Sequence, residues 1–213
     1  MEKMASILIL TLGSRGDVQP YIALASALAR HGHVVTLSTG QGFSELVPAQ
    51  VAYVPMSMDM EVLLREPEMQ AAMQGVRAMI RAFRTSRAMM QQQLDEMWEI
   101  TQQVRPDAII YHPKAFPAPY FARALGIVAI PSFLQPAFQP SREFLNPLLG
   151  FREIGPCSNR LFGAAMIRLM RFGHDALLKG WLPRHADVSQ TPTLDVLAGY
   201  HPGRYMPPRL YAH

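Results

Sequence analysis

The sequence predicts an α/β fold in which a parallel, Rossmann-like sheet is flanked by helices. Short apolar runs of strand length alternate with longer segments in which apolar residues recur at helical spacing, and Gly or Pro separates many of them. The 213 residues are 49% apolar and 17% charged, which suits a globular chain. Parallel strands need right-handed crossovers, and their carboxyl ends meet at one edge of the sheet, where ligands bind.

The first quarter of the chain predicts three strands and one helix. Residues 5–11 form a continuous apolar run that ends at a glycine loop, which is typical of a strand buried on both faces. Pro20 suits the first turn of the following helix, which ends near Gly32. The apolar face of that helix consists of Ile22, Ala25, Leu28 and Ala29. Residues 33–39 and 51–55 predict the second and third strands.

The alternation continues through the middle of the chain. Residues 68–104 show helical spacing, as one helix or as two broken near Thr85, and Pro106 ends the pattern. Two strands and two helices follow, the strands at 107–111 and 127–130 and the helices at 117–125 and 159–181. Because no internal repeat and no low-complexity linker interrupts the pattern, we expect residues 1–213 to form one domain.

Composition excludes several classes of protein. A net charge of +4, scattered along the chain, is too small for a nucleic-acid reader. The single Cys157 excludes an intrachain disulfide and suits the cytoplasm. No apolar run reaches the ~20 residues of a membrane span. The histidines have no paired metal-ligand spacing, so we expect no metal site.

The loop after the first strand is the strongest candidate for chemistry. Residues 13–20 read GSRGDVQP, and the glycines allow a sharp turn and close approach to a ligand at the start of a helix. The spacing matches neither the dinucleotide fingerprint nor the phosphate-binding loop that ends in Lys and Ser or Thr. A nicotinamide-dependent enzyme is therefore disfavoured.

This loop, with residues 21–25 and Gly32-His33 after it, resembles the amino-terminal motif of sterol-type and antibiotic glycosyltransferases of the GT-B fold. Three later stretches are also similar to that family, at 111–114, at 124–127, and at 135–136 leading to 141–144. The resemblance implies one of two Rossmann-like halves. The first half binds the acceptor alcohol, and the second binds a nucleotide sugar, usually linked to UDP. Transfer inverts the anomeric carbon and needs no metal.

The sequence departs from this family in one large respect. Nothing in it resembles the donor-binding half, and the chain ends about where the first half of such an enzyme ends. We therefore expect a donor-binding carboxyl-terminal domain to be absent, no cofactor to be bound by this chain, and the chain alone to be inactive. UDP-glucose is the expected co-substrate of the whole enzyme.

The resemblance implies two catalytic residues. Asp17 would be the base that takes the proton of the acceptor hydroxyl, and an apolar acceptor would raise its pKa by displacing water. An Asx turn that only ties down the loop is the alternative. His112 follows a predicted strand end at the same edge, and it would pair with Asp17 or with the acceptor; a loop histidine without a catalytic role is the alternative.

The remaining site residues are expected around this pair. In the glycine loop, Gly13, Arg15 and Gly16 would face the donor and Ser14 the acceptor, or they would serve only turn geometry and the surface. An apolar acceptor pocket is expected in or beside later loops, lined by Phe116, Phe133, Gln135, Phe138 and Phe144. Ordinary core packing is the alternative for each of these.

A basic stripe suggests where the enzyme would work. Arg77, Arg81, Arg84 and Arg87 recur at helical spacing and could face anionic lipid headgroups, although a solvated helix face is the favoured explanation. A peripheral membrane contact would help to collect a membrane-dissolved acceptor.

Two other interpretations stay open. One is a noncatalytic Rossmann-like module that binds an apolar ligand or a nucleotide, or that pairs with a separate donor-domain chain. The other is a flavodoxin-like domain, which is disfavoured because the loop lacks acidic clusters and a Ser- and Thr-rich phosphate cup. A glycine-rich donor site encoded downstream would favour the transferase.

Overall fold

The computed structural model describes residues 4–57, 87–134, 140–143 and 155–185. Within these ranges there are five strands, β1 Ser6–Leu10, β2 Val34–Gly40, β3 Ala52–Met56, β4 Ala108–Tyr111 and β5 Val128–Pro131. The α-helices in these same ranges are α1 Arg15–Arg30, α2 Arg87–Val104, α3 Ala118–Ala124 and α4 Pro156–Trp181. Short 3₁₀ helices occupy Gln41–Leu46, Pro113–Ala115 and Leu182–Arg184.

All five strands are parallel, in the order β3-β2-β1-β4-β5. The predicted α/β, Rossmann-like sheet is therefore confirmed, and β1 is its central strand. At the carboxyl edge, Leu10 of β1 pairs with Ser38 of β2 on one side and with Tyr111 of β4 on the other. The strand order reverses between β1 and β4, which is the point where doubly wound sheets hold their ligands.

The two faces of β1 are buried against different elements. Ile7 and Ile9 pack in one cluster with Val18, Tyr21 and other residues of α1. Side chains alternate along a strand, so the fully buried Leu8 and Leu10 point to the opposite face. Helix α2 contacts β1 and β3. This double burial explains why β1 has no polar position between Ile7 and Leu10.

Helix α1 begins earlier than predicted. It starts at Arg15 with Ser14 as its N-cap, so Pro20 lies inside the helix and not in its first turn. The reason lies in the loop, where the Asp17 carboxylate accepts a hydrogen bond from the Ser14 backbone N–H and so stabilises an earlier start. Pro20 is tolerated within the second turn, although it offers no N–H to the carbonyl four residues before it.

The described residues fall into two compact units. The first holds 4–57, 87–132 and 179–185 and contains the whole sheet; the second holds 133–134, 140–143 and 155–178. The single domain over 1–213 stays a prediction. The predicted helix before residue 87, with Arg77, Arg81 and Arg84, and the tail beyond 185 lie outside the described residues. Across the described ranges, no helix combines the length and apolarity needed to cross a bilayer.

Candidate active site

Asp17 lies at the carboxyl edge of the sheet, in the first turn of α1 just after β1. Its side chain is 14% exposed. The hydroxyl of Thr11 donates to the Asp17 backbone carbonyl at 3.3 Å, which ties the start of the helix to the end of the strand. The loop's place after the first strand predicted the carboxyl edge of the sheet, and the structure holds the carboxylate at the β1–β4 reversal point of that edge.

Three donors converge on one oxygen of this carboxylate. Oδ2 of Asp17 accepts from the Ser14 backbone N–H at 2.9 Å, from the Ser14 hydroxyl at 3.2 Å and from Nζ of Lys114 at 2.8 Å. Within the described residues, no group donates a hydrogen bond to Oδ1. The loop-fixing role considered for Asp17 thus uses Oδ2, and it leaves Oδ1 with unused acceptor capacity.

Gly13 makes this arrangement possible. Its φ of 140° belongs to a region that only glycine occupies readily. A β-carbon on Gly13 would overlap the Asp17 carboxylate and lie 2.6 Å from Nζ of Lys114. The backbone of Gly13 therefore lies directly against the ion pair of Asp17 and Lys114, which occupies the space that a side chain would fill.

His112 faces Asp17 from the end of β4. Its Nε2 lies 3.8 Å from Oδ1 of Asp17, and its side chain is 9% exposed. The backbone N–H of Lys114 donates to His112 Nδ1 at 3.2 Å, so the neutral ring carries its proton on Nε2. Burial, together with the nearby Lys114 charge, lowers the pKa of His112 to about 4 although the Asp17 charge opposes this. At neutral pH the ring is neutral, with Nε2–H on the side of Asp17.

Lys114 sets the charge of the site. Burial alone would raise the pKa of Asp17, but the hydrogen bond and charge of Lys114, with smaller contributions from Ser14 and His112, lower it below its usual value. This lowered pKa belongs to the free chain; the rise expected when an apolar acceptor displaces water stays a prediction. Lys114 lies in the quoted 111–114 stretch but had no predicted role. The sequence carried no signal for this role, because the partner of Lys114 lies 97 positions away.

Tyr21 is a second residue that sequence reasoning left without a role. It lies one helical turn after Asp17, and its ring meets the His112 ring edge-on at a centroid distance of 5.8 Å. Its hydroxyl donates to the Ser132 carbonyl at 2.6 Å. Burial raises the pKa of Tyr21 to about 12, and the Asp17 charge acts in the same direction. Tyr21 therefore stays neutral and supports the position of the His112 ring.

The other predicted site residues are only partly described. Ser14, Arg15 and Gly16 are exposed at the start of α1. Phe116 is buried and Phe133 is partly buried. Gln135, Phe138 and Phe144 lie outside the described residues. The acceptor pocket that they were expected to line thus stays a prediction.

Two further observations concern ligand space. An open cavity of about 400 Å³ lies beside α1, and its lining includes Ile22, Ser26 and Arg30 but not Asp17. In the parts of the chain that the structure describes, no three His, Cys, Asp or Glu side chains converge as metal ligands would.

Two polar side chains near the end of β2 are buried without a hydrogen-bond partner among the described residues. They are the hydroxyls of Ser38 and Thr39, both 0% exposed. Successive strand residues face opposite sides, so one hydroxyl points to each face of the sheet.

Comparison with known proteins shows the family to which this chain belongs. Residues 7–139 match the glycosyltransferase family 28 N-terminal domain, which is well over half of the chain. The chain belongs to glycosyltransferase family 28. The resemblance to GT-B glycosyltransferases is thereby confirmed, and the matched residues include Asp17, His112 and Lys114.

Curated relatives of this family 28 domain include sterol glucosyltransferases. A UDP-sugar-dependent glycosyltransferase of Dictyostelium discoideum is 30% identical over 151 residues, which are 70% of this chain and 9% of that protein. A sterol 3-beta-glucosyltransferase of Debaryomyces hansenii is 34% identical over 134 residues, or 60% and 8% of the two chains. One from Arabidopsis thaliana is 32% identical over 151 residues, or 67% and 24%. The chain thus spans a quarter or less of the length of these relatives.

Solved glycosyltransferase structures are similar to the family 28 domain at low identity. The Streptomyces glycosyltransferase SsfS6 gives a TM-score of 0.49 with 19% identity, covering 90% of this chain and 48% of that one. The glycosyltransferase of kitacinnamycin gives 0.46 with 23% identity, covering 62% and 30%. The fold assignment itself rests on the parallel sheet described above.

Proposed function

We propose that this chain is the acceptor-binding half of an inverting, metal-independent glycosyltransferase. The donor would be a nucleotide diphosphate sugar, with UDP-glucose as the first choice, and the acceptor a hydroxyl of a sterol or another apolar aglycone. The names of the relatives support the sugar and acceptor classes. The observation that carries the proposal is the Asp17 carboxylate, whose Oδ1 has no donor among the described residues and faces His112 at the carboxyl edge, where the strand order reverses between β1 and β4.

The geometry suggests how an acceptor hydroxyl would sit. Oδ1 of Asp17 and Nε2 of His112 are 3.8 Å apart, which is too long for a hydrogen bond between them. One hydroxyl oxygen can lie about 2.8 Å from both atoms. It would donate its hydrogen to Oδ1 and accept from Nε2–H, so the two side chains together would aim its free lone pair.

The proposed reaction is a single displacement. The acceptor oxygen forms a bond to the anomeric carbon of the sugar as the bond from that carbon to the diphosphate oxygen breaks. The bonding pair leaves with the nucleoside diphosphate, and the hydroxyl proton passes to Oδ1 of Asp17. Attack from the side opposite the leaving group inverts the anomeric carbon. Because a carboxylate is a weak base towards an alcohol, proton transfer must accompany attack.

The complete enzyme would need further parts. We propose that a donor-binding domain, in the same chain or in a partner chain, supplies the nucleotide-sugar site. A cytoplasmic location with peripheral membrane contact, suited to a lipid alcohol, is part of the same proposal. The test therefore uses the two halves together.

The experiment compares sugar transfer by the complete enzyme with and without the proposed base. UDP-glucose and other nucleotide sugars are offered with sterols and polyketides, and wild type is compared with Asp17→Asn. We expect Asp17→Asn to lower kcat by about 10²-fold or more. Asp175→Asn changes an exposed carboxylate of α4 and serves as the matched control. Wild-type rates in Asp17→Asn would remove Asp17 as base, and an absence of transfer from every donor would favour a noncatalytic module.

A further inference from the structure

Lys114 holds the carboxylate on which the proposed function depends, and it does so from the far side of the β1–β4 boundary. Nζ of Lys114 lies 2.8 Å from Oδ2 of Asp17, across 97 positions of sequence. The Lys114 side chain is 45% exposed, whereas that of Asp17 is 14% exposed. An exposed cation with other orientations open to it thus lies against a mostly buried carboxylate.

We infer that Lys114 is a positioning residue for the proposed base: it holds Oδ2 of Asp17 and leaves Oδ1 as the oxygen that takes the acceptor proton. This inference rests on the proposed function for the identity of the proton donor. It adds which oxygen reacts and names Lys114, beside the two donors of Ser14, as a residue that fixes this choice.

The distribution of donors supports the choice of oxygen. A carboxylate can rotate about its Cβ–Cγ bond, and its two oxygens are then equivalent. Here the Ser14 N–H, the Ser14 hydroxyl and Lys114 all bind Oδ2. Half a turn about this bond only exchanges the two oxygens, but a quarter turn would take the bound oxygen away from all three donors, so together they fix the plane of the carboxylate. Oδ1 is therefore the oxygen left towards His112.

The local fold around Lys114 supports its role. His112 is the N-cap of the 3₁₀ helix Pro113–Ala115, and its Nδ1 accepts from the Lys114 backbone N–H. The Ala115 N–H donates to the His112 carbonyl at 2.8 Å. One turn of backbone thus sets both the His112 ring and the start of the Lys114 side chain. Because Gly13 has no β-carbon, Nζ of Lys114 can reach the Asp17 carboxylate without a steric clash.

Lys114 also has an electrostatic cost for the base. Its hydrogen bond and its charge contribute to the lowered pKa of Asp17. A more acidic carboxylate accepts a proton less readily, so orientation and basicity are opposed at this residue. Orientation and basicity can be measured separately when the cation is removed. Loss of orientation changes kcat, whereas loss of the charge changes the pKa of Asp17.

The test is Lys114→Met, which keeps a long unbranched side chain and removes the charge, together with Lys114→Arg, which keeps the charge. For the complete enzyme we expect Lys114→Met to lower kcat at the pH optimum about tenfold or more, because the carboxylate loses the one donor that holds it from β4 and keeps only the two from Ser14. The acid limb of the pH profile of kcat/KM should move to higher pH. Lys114→Arg should restore part of kcat and keep the acid limb near its wild-type position. Lys179→Met removes an exposed lysine of α4 and is the matched control.

A readout that does not depend on transfer separates this inference from the proposed function. The carbon-13 signal of the Asp17 carboxyl group can be followed against pH on this chain, and Lys114→Met should raise the midpoint relative to wild type and to Lys179→Met. An unchanged midpoint, or an unchanged acid limb with full kcat, would overturn the role of Lys114. If Asp17→Asn abolishes transfer while Lys114→Met changes nothing, this inference fails and the base stands. If Asp17→Asn retains transfer, the base fails, and the carboxyl titration still decides whether Lys114 holds Asp17.

Discussion

Removing the imidazole of His112 should change how the stability of the protein depends on pH. The whole residue His112 is 7% exposed, and burial lowers the pKa of its imidazole to about 4. In the unfolded chain its pKa is about 6.5, so between these values the unfolded state binds a proton that the folded state refuses. The free energy of unfolding therefore falls as the pH falls from about 6.5 to about 4. With each pH unit worth about 1.4 kcal/mol, the loss due to His112 is about 3 kcal/mol.

The variant His112→Asn isolates this contribution. Asn is neutral throughout the range, and its side-chain oxygen can accept from the Lys114 backbone N–H as a helix N-cap does. The free energy of unfolding is measured by denaturant titration at several pH values between 7 and 4. We expect wild type to lose about 3 kcal/mol more than His112→Asn across this range, whatever their difference at pH 7.

Two features keep the comparison specific. Asp17 titrates below the window, because its pKa lies below the usual value of 3.8. His174, whose pKa burial also lowers to about 4, is present in both proteins and cancels in the difference. His31→Gln replaces an exposed histidine at the end of α1 and is the matched control for the loss of an imidazole. Parallel curves for wild type and His112→Asn would refute the buried, neutral state of His112.

Two further outcomes follow from the site geometry. Gly13→Ala should lower the free energy of unfolding by about 2 kcal/mol or more, because alanine is strained at this φ and its β-carbon overlaps Asp17, and it should abolish transfer. Wild-type stability of this variant would contradict the close approach of Asp17 to Gly13. Ser38→Ala should leave the free energy of unfolding unchanged or raise it by up to about 1 kcal/mol, because a buried hydroxyl without a partner is removed; a loss of 2 kcal/mol would mean that the hydroxyl is bonded.

Local pattern was enough to predict most of the fold. Every described strand lies within one or two residues of its predicted position, because continuous apolar runs bounded by loops have few other places in an α/β domain. The start of α1 was the clear error. Pro20 favours the first turn of a helix, but the hydrogen bond that the Ser14 N–H donates to the Asp17 carboxylate stabilises a start at Arg15 and outweighs the preference of Pro20.

The candidate site was predictable only in outline. Asp17 and His112 could be placed at one edge, because parallel strands bring their carboxyl ends together. The role of Lys114 could not be read in the same way. A lysine in a loop is usually solvated, and nothing within a few residues of it marks a partner 97 positions away.

The sequence by itself determined the strand and helix pattern, the glycine loop and the membership of a glycosyltransferase family, since these depend on residue types and short spacings. Only the tertiary structure decided that β4 lies beside β1, and with it the distance from His112 to Asp17, the ion pair with Lys114 and the direction in which the pKa of Asp17 moves. The physical reason is that charge and burial act through space, and the distances that set them exist only once the strands have paired.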